Sequence, residues 1–301
     1  MDASTSLLEK LIAHRFLIPS GEDGVFGRSG AFEKIVAGLE TAVARAASAD
    51  EAELLRFPPI MARKAFERSG YMKGFPQLAG TVHSFCGGDH EHLELLARLE
   101  EDDDWSQWQE PTGTVLVPAA CYPLYPAVAA EGAVGPEGRV FDLQSYCFRH
   151  EPSLDPARMQ IFRMREFVRV GTAEQAQEFR AGWIERARTI ASALQLPHDV
   201  VPANDPFFGR TGKLIRNNQL EQGLKLELVI PIVNAQPTAC ASFNYHQDHF
   251  AHIWGLTMVG DQPVHTACVG FGLERLTLAL FRHHGLEVNG WPSGVRRALW
   301  G

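Results

Sequence analysis

Two stretches constrain this chain more than anything else in it. CFRHEPSLDPARMQIFRMREFVRVG, Cys147–Gly171, reads as a strand carrying Arg149 and Glu151, then a polar turn with Pro152, Asp155 and Pro156. A return strand follows through Arg163, Arg165, Glu166 and Phe167. ACVGFGLERLTLALF, Ala267–Phe281, reads as a glycine-broken strand entering a helix that opens with Glu274 and Arg275. Arginine forks grip phosphate oxygens through paired N–H donors. An arginine on a rigid strand, a loop able to fold over a ligand and a second arginine at a helix start therefore suit a bent triphosphate. Fixed cations also meet the charge that migrates onto a leaving pyrophosphate. Each segment alone has a plainer reading: Arg149 with Glu151 as a solvated cross-strand pair, Gly270-Phe271-Gly272 as a tight strand-to-helix turn. A dinucleotide-binding fingerprint is disfavoured, because Arg275 stands at the third glycine position.

The 301 residues are enough for one large α/β domain or two small ones. No linker rich in Pro, Gly or Ser divides them, so a single catalytic unit over 1–301 is expected, its first 50 residues a helical segment. The start, MDASTSLLEK, lacks the basic and apolar regions of a signal peptide, and no apolar run is long enough to span a membrane. Cys86, Cys121, Cys147, Cys240 and Cys268 are scattered without a CxxC pair, which suits a reducing cytoplasm. A formal net charge of −8 counts against tRNA binding, which needs cations to neutralise phosphates.

Periodicity predicts an amphipathic helix over residues 3–16 and a second over Gly30–Ala47. After Pro58-Pro59 a helix is predicted from Ile60 to about Ser69, stopped by Gly70. Glu100–Asp104 reads as a solvated helix end. Strands are predicted at Thr114–Pro118, Arg139–Glu151, Gln160–Val170, Leu224–Ile232, Ala239–Asn244 and Val264–Gly270. Their alternation without βαβ spacing points to a mainly antiparallel sheet, hence an α+β fold. Thr172–Leu194 is the clearest helix: Thr172 and Gln175 form a capping box, and Phe179, Trp183, Ala187, Ile190 and Leu194 make a buried stripe.

In order and spacing the two opening stretches resemble motifs 2 and 3 of class II aminoacyl-tRNA synthetases, and Arg56–Gly80 resembles motif 1 as seryl-tRNA synthetases carry it. The resemblance implies an antiparallel sheet flanked by helices and a homodimer formed through motif 1. It gives Arg149 the α-phosphate and the carboxylate of the activated amino acid, Glu151 the adenine amino group, and Phe167 the adenine face. Arg158 and Met159 fall on the loop that closes over ATP, and Arg275 on the γ-phosphate. Lys225 and Glu227 are candidates for the ATP and Mg²⁺ site, with backbone contacts from Ala239, Cys240 and Ala241. Gln236, Pro237 and Ala241 stand where seryl-tRNA synthetase has its glutamate and serine.

Methanogen-type seryl-tRNA synthetases and their stand-alone relatives hold zinc through a Cys, Glu, Cys set, which Cys121, Glu166 and Cys268 resemble. Three protein ligands leave one tetrahedral position for the substrate amine, so Glu166 would also face the amino acid. The plainer reading is three unrelated residues, two of them buried thiols. His246, His249 and His252 read as structural or supporting residues.

A seryl-tRNA synthetase also carries a long helical arm that grips tRNA, whereas here the segment before residue 56 holds no sustained heptads. The resemblance extends from about Arg56 to an amino acid:[carrier protein] ligase. Such an enzyme activates a small amino acid with ATP and moves it to the phosphopantetheine thiol of a carrier protein. Small residues at Ala239–Ala241 favour glycine or alanine. Arg210, Lys213 and Arg216 make a locally basic segment that could draw an acidic carrier protein. A minimal synthetase charging tRNA and a non-catalytic regulatory relative stand as the alternatives.

Overall fold

The computed structural model describes residues 6–209, 219–220, 222–233, 237–260 and 262–301. Its centre is a seven-stranded sheet built from β3 (Glu53–Leu55), β7 (Arg139–Phe148), β8 (Ile161–Gly171), β9 (Asp199–Pro202), β10 (Lys225–Pro231), β11 (Pro237–Gln247) and β12 (His265–Gly272). The spatial order is β3-β7-β8-β12-β11-β10-β9, and among the described residues β3 on β7 is the one parallel pairing of the sheet. The α+β expectation therefore holds, and each predicted strand of this sheet lies within a few residues of its expected place.

The two faces of the sheet are covered unequally. Successive strand residues point to opposite faces, so Phe167, Phe243, Val269 and Phe271 share the rear. There they pack under α2 (Gly30–Ala46), α7 (Ala173–Ala193) and the helix Leu273–His284 in one continuous core. The α7 capping box closes as predicted, with the Thr172 side chain accepting from the Gln175 N–H and the Gln175 side chain returning to Thr172. Trp183, Ala187, Ile190 and Leu194 are buried along its stripe, and Phe179 is partly so.

On the front, α6 (Leu124–Glu131) and the helix His249–Trp254 cover only one end of the strands, sealing Phe141, Leu143, Val168 and Cys268 beneath them. The rest of the front face is open, and the pocket lies there.

Outside the main sheet, β4 (Ile60–Ala62), β5 (Thr81–Phe85) and β6 (Gln109–Leu116) form a second sheet in the order β4-β6-β5. This corrects the helix predicted from Ile60. Ile60, Met61 and Ala62 pair with Leu116, Val115 and Thr114, and the helix begins only at Arg63. Tertiary pairing has overridden local propensity at the three β-compatible residues after the prolines. Gly70 does end the helix, adopting φ +81°, which suits a residue without a Cβ. The acidic run is an exposed helix end, after Asp89–Glu100.

Candidate active site

Alternation along β8 builds the wall of the pocket. Phe162, Met164 and Glu166 point forward, while Arg163, Arg165 and Phe167 point back. Across the register, Glu166 faces Gly270 and Met164 faces Gly272 on β12, and Ser242 and Asn244 of β11 lie beyond Gly270 and Cys268. One irregularity matters. Between Leu228 and Val229 the β10–β11 register slips by one, so Cys240 is an extra residue on β11. A bulge of this kind re-aims the strand beside a site, and Ala239, Cys240 and Ala241 all reach the pocket. The open space there is about 710 Å³.

Two half-buried arginines line this space. Arg149 donates through Nε to the Pro118 carbonyl at 3.2 Å and lies over the Phe162 ring, 5.4 Å from its centroid. Arg275 donates through Nε to Ala157 O at 2.8 Å and through Nη1 to Ala239 O at 2.9 Å. Among the described residues neither forms an ion pair. Glu151, which also lines the space, is hydrogen-bonded to Arg158 at 3.4 Å. The carbonyls orient the two guanidiniums without cancelling their charge, leaving terminal N–H groups aimed at the pocket.

At the sealed end of the same face Cys121, Glu166 and Cys268 come together. The Glu166 carboxylate accepts from the Ala120 N–H at 2.6 Å. Burial lifts its pKa to about 7, the Cys268 charge pushes the same way, and hydrogen bonds from Cys121 and Ala120 oppose them. The bond from Cys121 holds the Cys268 thiol well below its ordinary value despite burial, with His246 and Asn244 helping. That shared bond and burial push Cys121 up correspondingly. Asn244 Nδ2 lies 3.3 Å from Cys268 Sγ, and His246 Nε2 lies 3.5 Å from it, with its other ring nitrogen on Thr266 Oγ1 at 2.9 Å. The Tyr125 hydroxyl is buried beside Cys121. Two thiols and a carboxylate, with outer partners on Glu166 and Cys268, are a donor set that suits zinc. As the side chains stand they bond to one another, and among the described residues no group of three or more His, Cys, Asp or Glu is arranged to hold a metal ion.

Several sequence-based placements change. Phe167 is the clearest correction: it is fully buried on the rear face, stacked on Trp183 with centroids 4.5 Å apart, and cannot touch a ligand in the pocket. Glu166 and Phe167 are neighbours on a strand, so both could never face one site. Phe162, overlooked in the sequence, is the ring in the pocket wall, and the same alternation counted back from Glu166 finds it. Arg158 is exposed and paired with Glu151 rather than lining the cavity, whereas Met159 lines it. Lys225 and Glu227 do line it, but they form an ion pair at 3.1 Å, and Lys225 also bonds Asp205. Glu274 braces the wall instead of the ligand, accepting from the Arg163 N–H at 2.7 Å and from its Nε at 2.8 Å. Arg210, Lys213, Arg216 and Gln236 lie outside the described residues.

No family model matches the chain. Curated proteins do. Amino acid–[acyl-carrier-protein] ligase 2 of Bradyrhizobium diazoefficiens is 45% identical over 280 residues, spanning 93% of this chain and 84% of that protein. Amino acid–[acyl-carrier-protein] ligase 1 of the same organism is 43% identical over 289 residues, spanning 96% and 88%. Among solved structures, M. kandleri SerRS in complex with A. aeolicus tRNASec superposes with a TM-score of 0.83 at 20% identity, over 98% of this chain and 60% of that one. At that identity the likeness shows the class II synthetase fold and nothing finer.

Proposed function

The chain belongs to the amino acid–[acyl-carrier-protein] ligases, and from that premise we propose that its pocket activates a small amino acid with ATP and passes it to the phosphopantetheine thiol of a carrier protein. The observation that carries the reading is the pair Arg149 and Arg275, which line one cavity without an ion-pair partner among the described residues, with the Glu166 cluster on the same face of the sheet. The substrate carboxylate is already ionised at neutral pH, so its attack on the α-phosphate needs no side-chain base. What it needs is relief of the repulsion between two anions, which the fixed guanidiniums supply. The attack forms an aminoacyl adenylate and releases pyrophosphate. The carrier thiol then attacks the adenylate carbonyl, forming a thioester and releasing AMP.

Arg149 spans the α-phosphate and the substrate carboxylate. Arg275 takes the γ-phosphate, Phe162 the adenine face and Glu151 the adenine amino group. Cys121, Glu166 and Cys268 would hold one zinc ion, which when bound offers an open position to a neutral α-amino group. Mg²⁺ would accompany ATP near Glu227. Leu54 on the edge strand β3 and Ile60 on β4, 62% and 40% exposed, support a homodimer formed through this part of the chain. The basic residues Arg210, Lys213 and Arg216 are the proposed docking points for the carrier. Five free cysteines support a cytoplasmic setting, and no helix among the described residues is long and apolar enough to cross a membrane.

Pyrophosphate exchange across all amino acids, with metal content measured on the same protein, tests the reading. Exchange with glycine or alanine and about one zinc per chain are expected, the zinc falling in Cys121→Ser, Cys268→Ser and Glu166→Ala. Exchange with no amino acid would overturn the activation step. Zinc retained in all three variants would move the metal elsewhere.

A further inference from the structure

The middle of the β8 row points to a task for one more residue. We propose that Met164 is specificity-determining: its thioether arm limits the substrate side chain to hydrogen or methyl. The inference rests on the activation chemistry proposed above and concerns which amino acids that site admits.

Phe162, Met164 and Glu166 follow one another on the front of β8, spaced by about 7 Å per pair of residues. On the activation chemistry proposed above, the ends of this row serve opposite ends of the substrate: Glu166 faces its amine, and Arg149, which lies over Phe162, faces its carboxylate and the α-phosphate. The α-carbon must therefore cross at the level of Met164. The floor at that point is Gly270 and Gly272, which present no side chain.

Met164 leans over this floor. A Cβ placed on Gly270 would lie 3.0 Å from Met164 Cε, 3.4 Å from Glu166 Cγ and 3.6 Å from Ser242 Oγ. The passage over Gly270 is thus bounded by the methionine tip on one side and the Ser242 hydroxyl on the other. Met164 is only half-buried, but it packs on the apolar cluster that contains Cys121 and Cys268, so the arm is seated rather than loose in solvent. A methionine tip can yield by a methyl group. A longer or branched side chain would have to displace the arm from that packing, and one methylene too many in such a pocket weakens a substrate by roughly 10- to 200-fold.

Pyrophosphate exchange with glycine, alanine, 2-aminobutyrate and valine, run on wild type, Met164→Ala, Met164→Val and Met164→Leu, tests this. In Met164→Ala the kcat/KM for 2-aminobutyrate relative to glycine should rise roughly 10- to 200-fold, with the KM for ATP unmoved. Met164→Val should shift in the same direction by less. Met164→Leu, which conserves volume, should keep the wild-type order. Should Met164→Ala fail to fold, the Met164→Val shift decides. An unchanged order of preference in Met164→Ala and Met164→Val, or an equal shift in Met164→Leu, overturns the inference. A wild type that exchanges with no amino acid overturns the activation chemistry beneath it, which is a different and recognisable failure.

Discussion

The rear arginines and the pocket arginines of this sheet differ in what holds them. Behind β8, Arg163 pairs with Glu33 at 2.5 Å and with Glu274 at 2.8 Å, and Arg165 pairs with Asp142 at 2.5 Å. In the pocket, Arg149 and Arg275 are held by the carbonyls of Pro118, Ala157 and Ala239. A carboxylate both fixes a guanidinium and cancels its charge. A carbonyl fixes it and leaves the charge available to an anion. Arg163 is therefore a bolt between the motif 2 strand and the motif 3 helix, whereas Arg149 and Arg275 are preorganised cations. Preorganisation of this kind needs no rearrangement when negative charge develops.

The largest effect should come from the bolt. Arg163→Ala leaves Glu274, 2% exposed, without its main partner, and should cost about 3–5 kcal/mol of stability in denaturant unfolding. A loss below about 1 kcal/mol would place it with ordinary surface pairs and break the comparison.

Arg149→Ala and Arg275→Ala should show the reverse pattern. Pyrophosphate exchange should fall about 100- to 1,000-fold in each, while the unfolding midpoint stays near that of wild type. Near-normal exchange, or a stability loss matching that of Arg163→Ala, would mean that these two are also structural.

A smaller effect separates the two phenylalanines of the same strand. Phe162→Ala should raise the KM for ATP roughly 5- to 150-fold, the range expected for losing one aromatic–base stack of about 1–3 kcal/mol. Phe167→Leu, a change confined to the core, should leave that KM near its wild-type value. If Phe167→Leu moved the KM and Phe162→Ala did not, the assignment of faces on β8 would be wrong.

Much of this was legible in the residues, because period and capping are local properties. The strands on either side of the motif 2 turn, the Thr172 capping box and the stop at Gly70 all followed from spacing of a few residues. That Arg149 would lie near Arg275, and Glu166 near the two cysteines, was legible too. The Phe167 placement failed although the information was present, since period-two alternation from Glu166 selects Phe162 and Met164. Other features lay outside local reading. The pairing of Ile60–Ala62 with β6, the bulge at Cys240 and the contacts of His246 and Asn244 with Cys268 depend on residues brought together by the sheet. So does the bond from Arg163 to Glu33, which are 130 positions apart in the chain.

The central claim is that the activated amino acid leaves on a carrier thiol, and transfer of radiolabelled glycine or alanine tests it most directly. With ATP present, label should appear on a phosphopantetheinylated carrier protein through a bond cleaved by hydroxylamine. The apo-carrier, which lacks the thiol, and total tRNA should both stay unlabelled. Label on tRNA, with none on any carrier across a panel of phosphopantetheinylated proteins, would contradict the account.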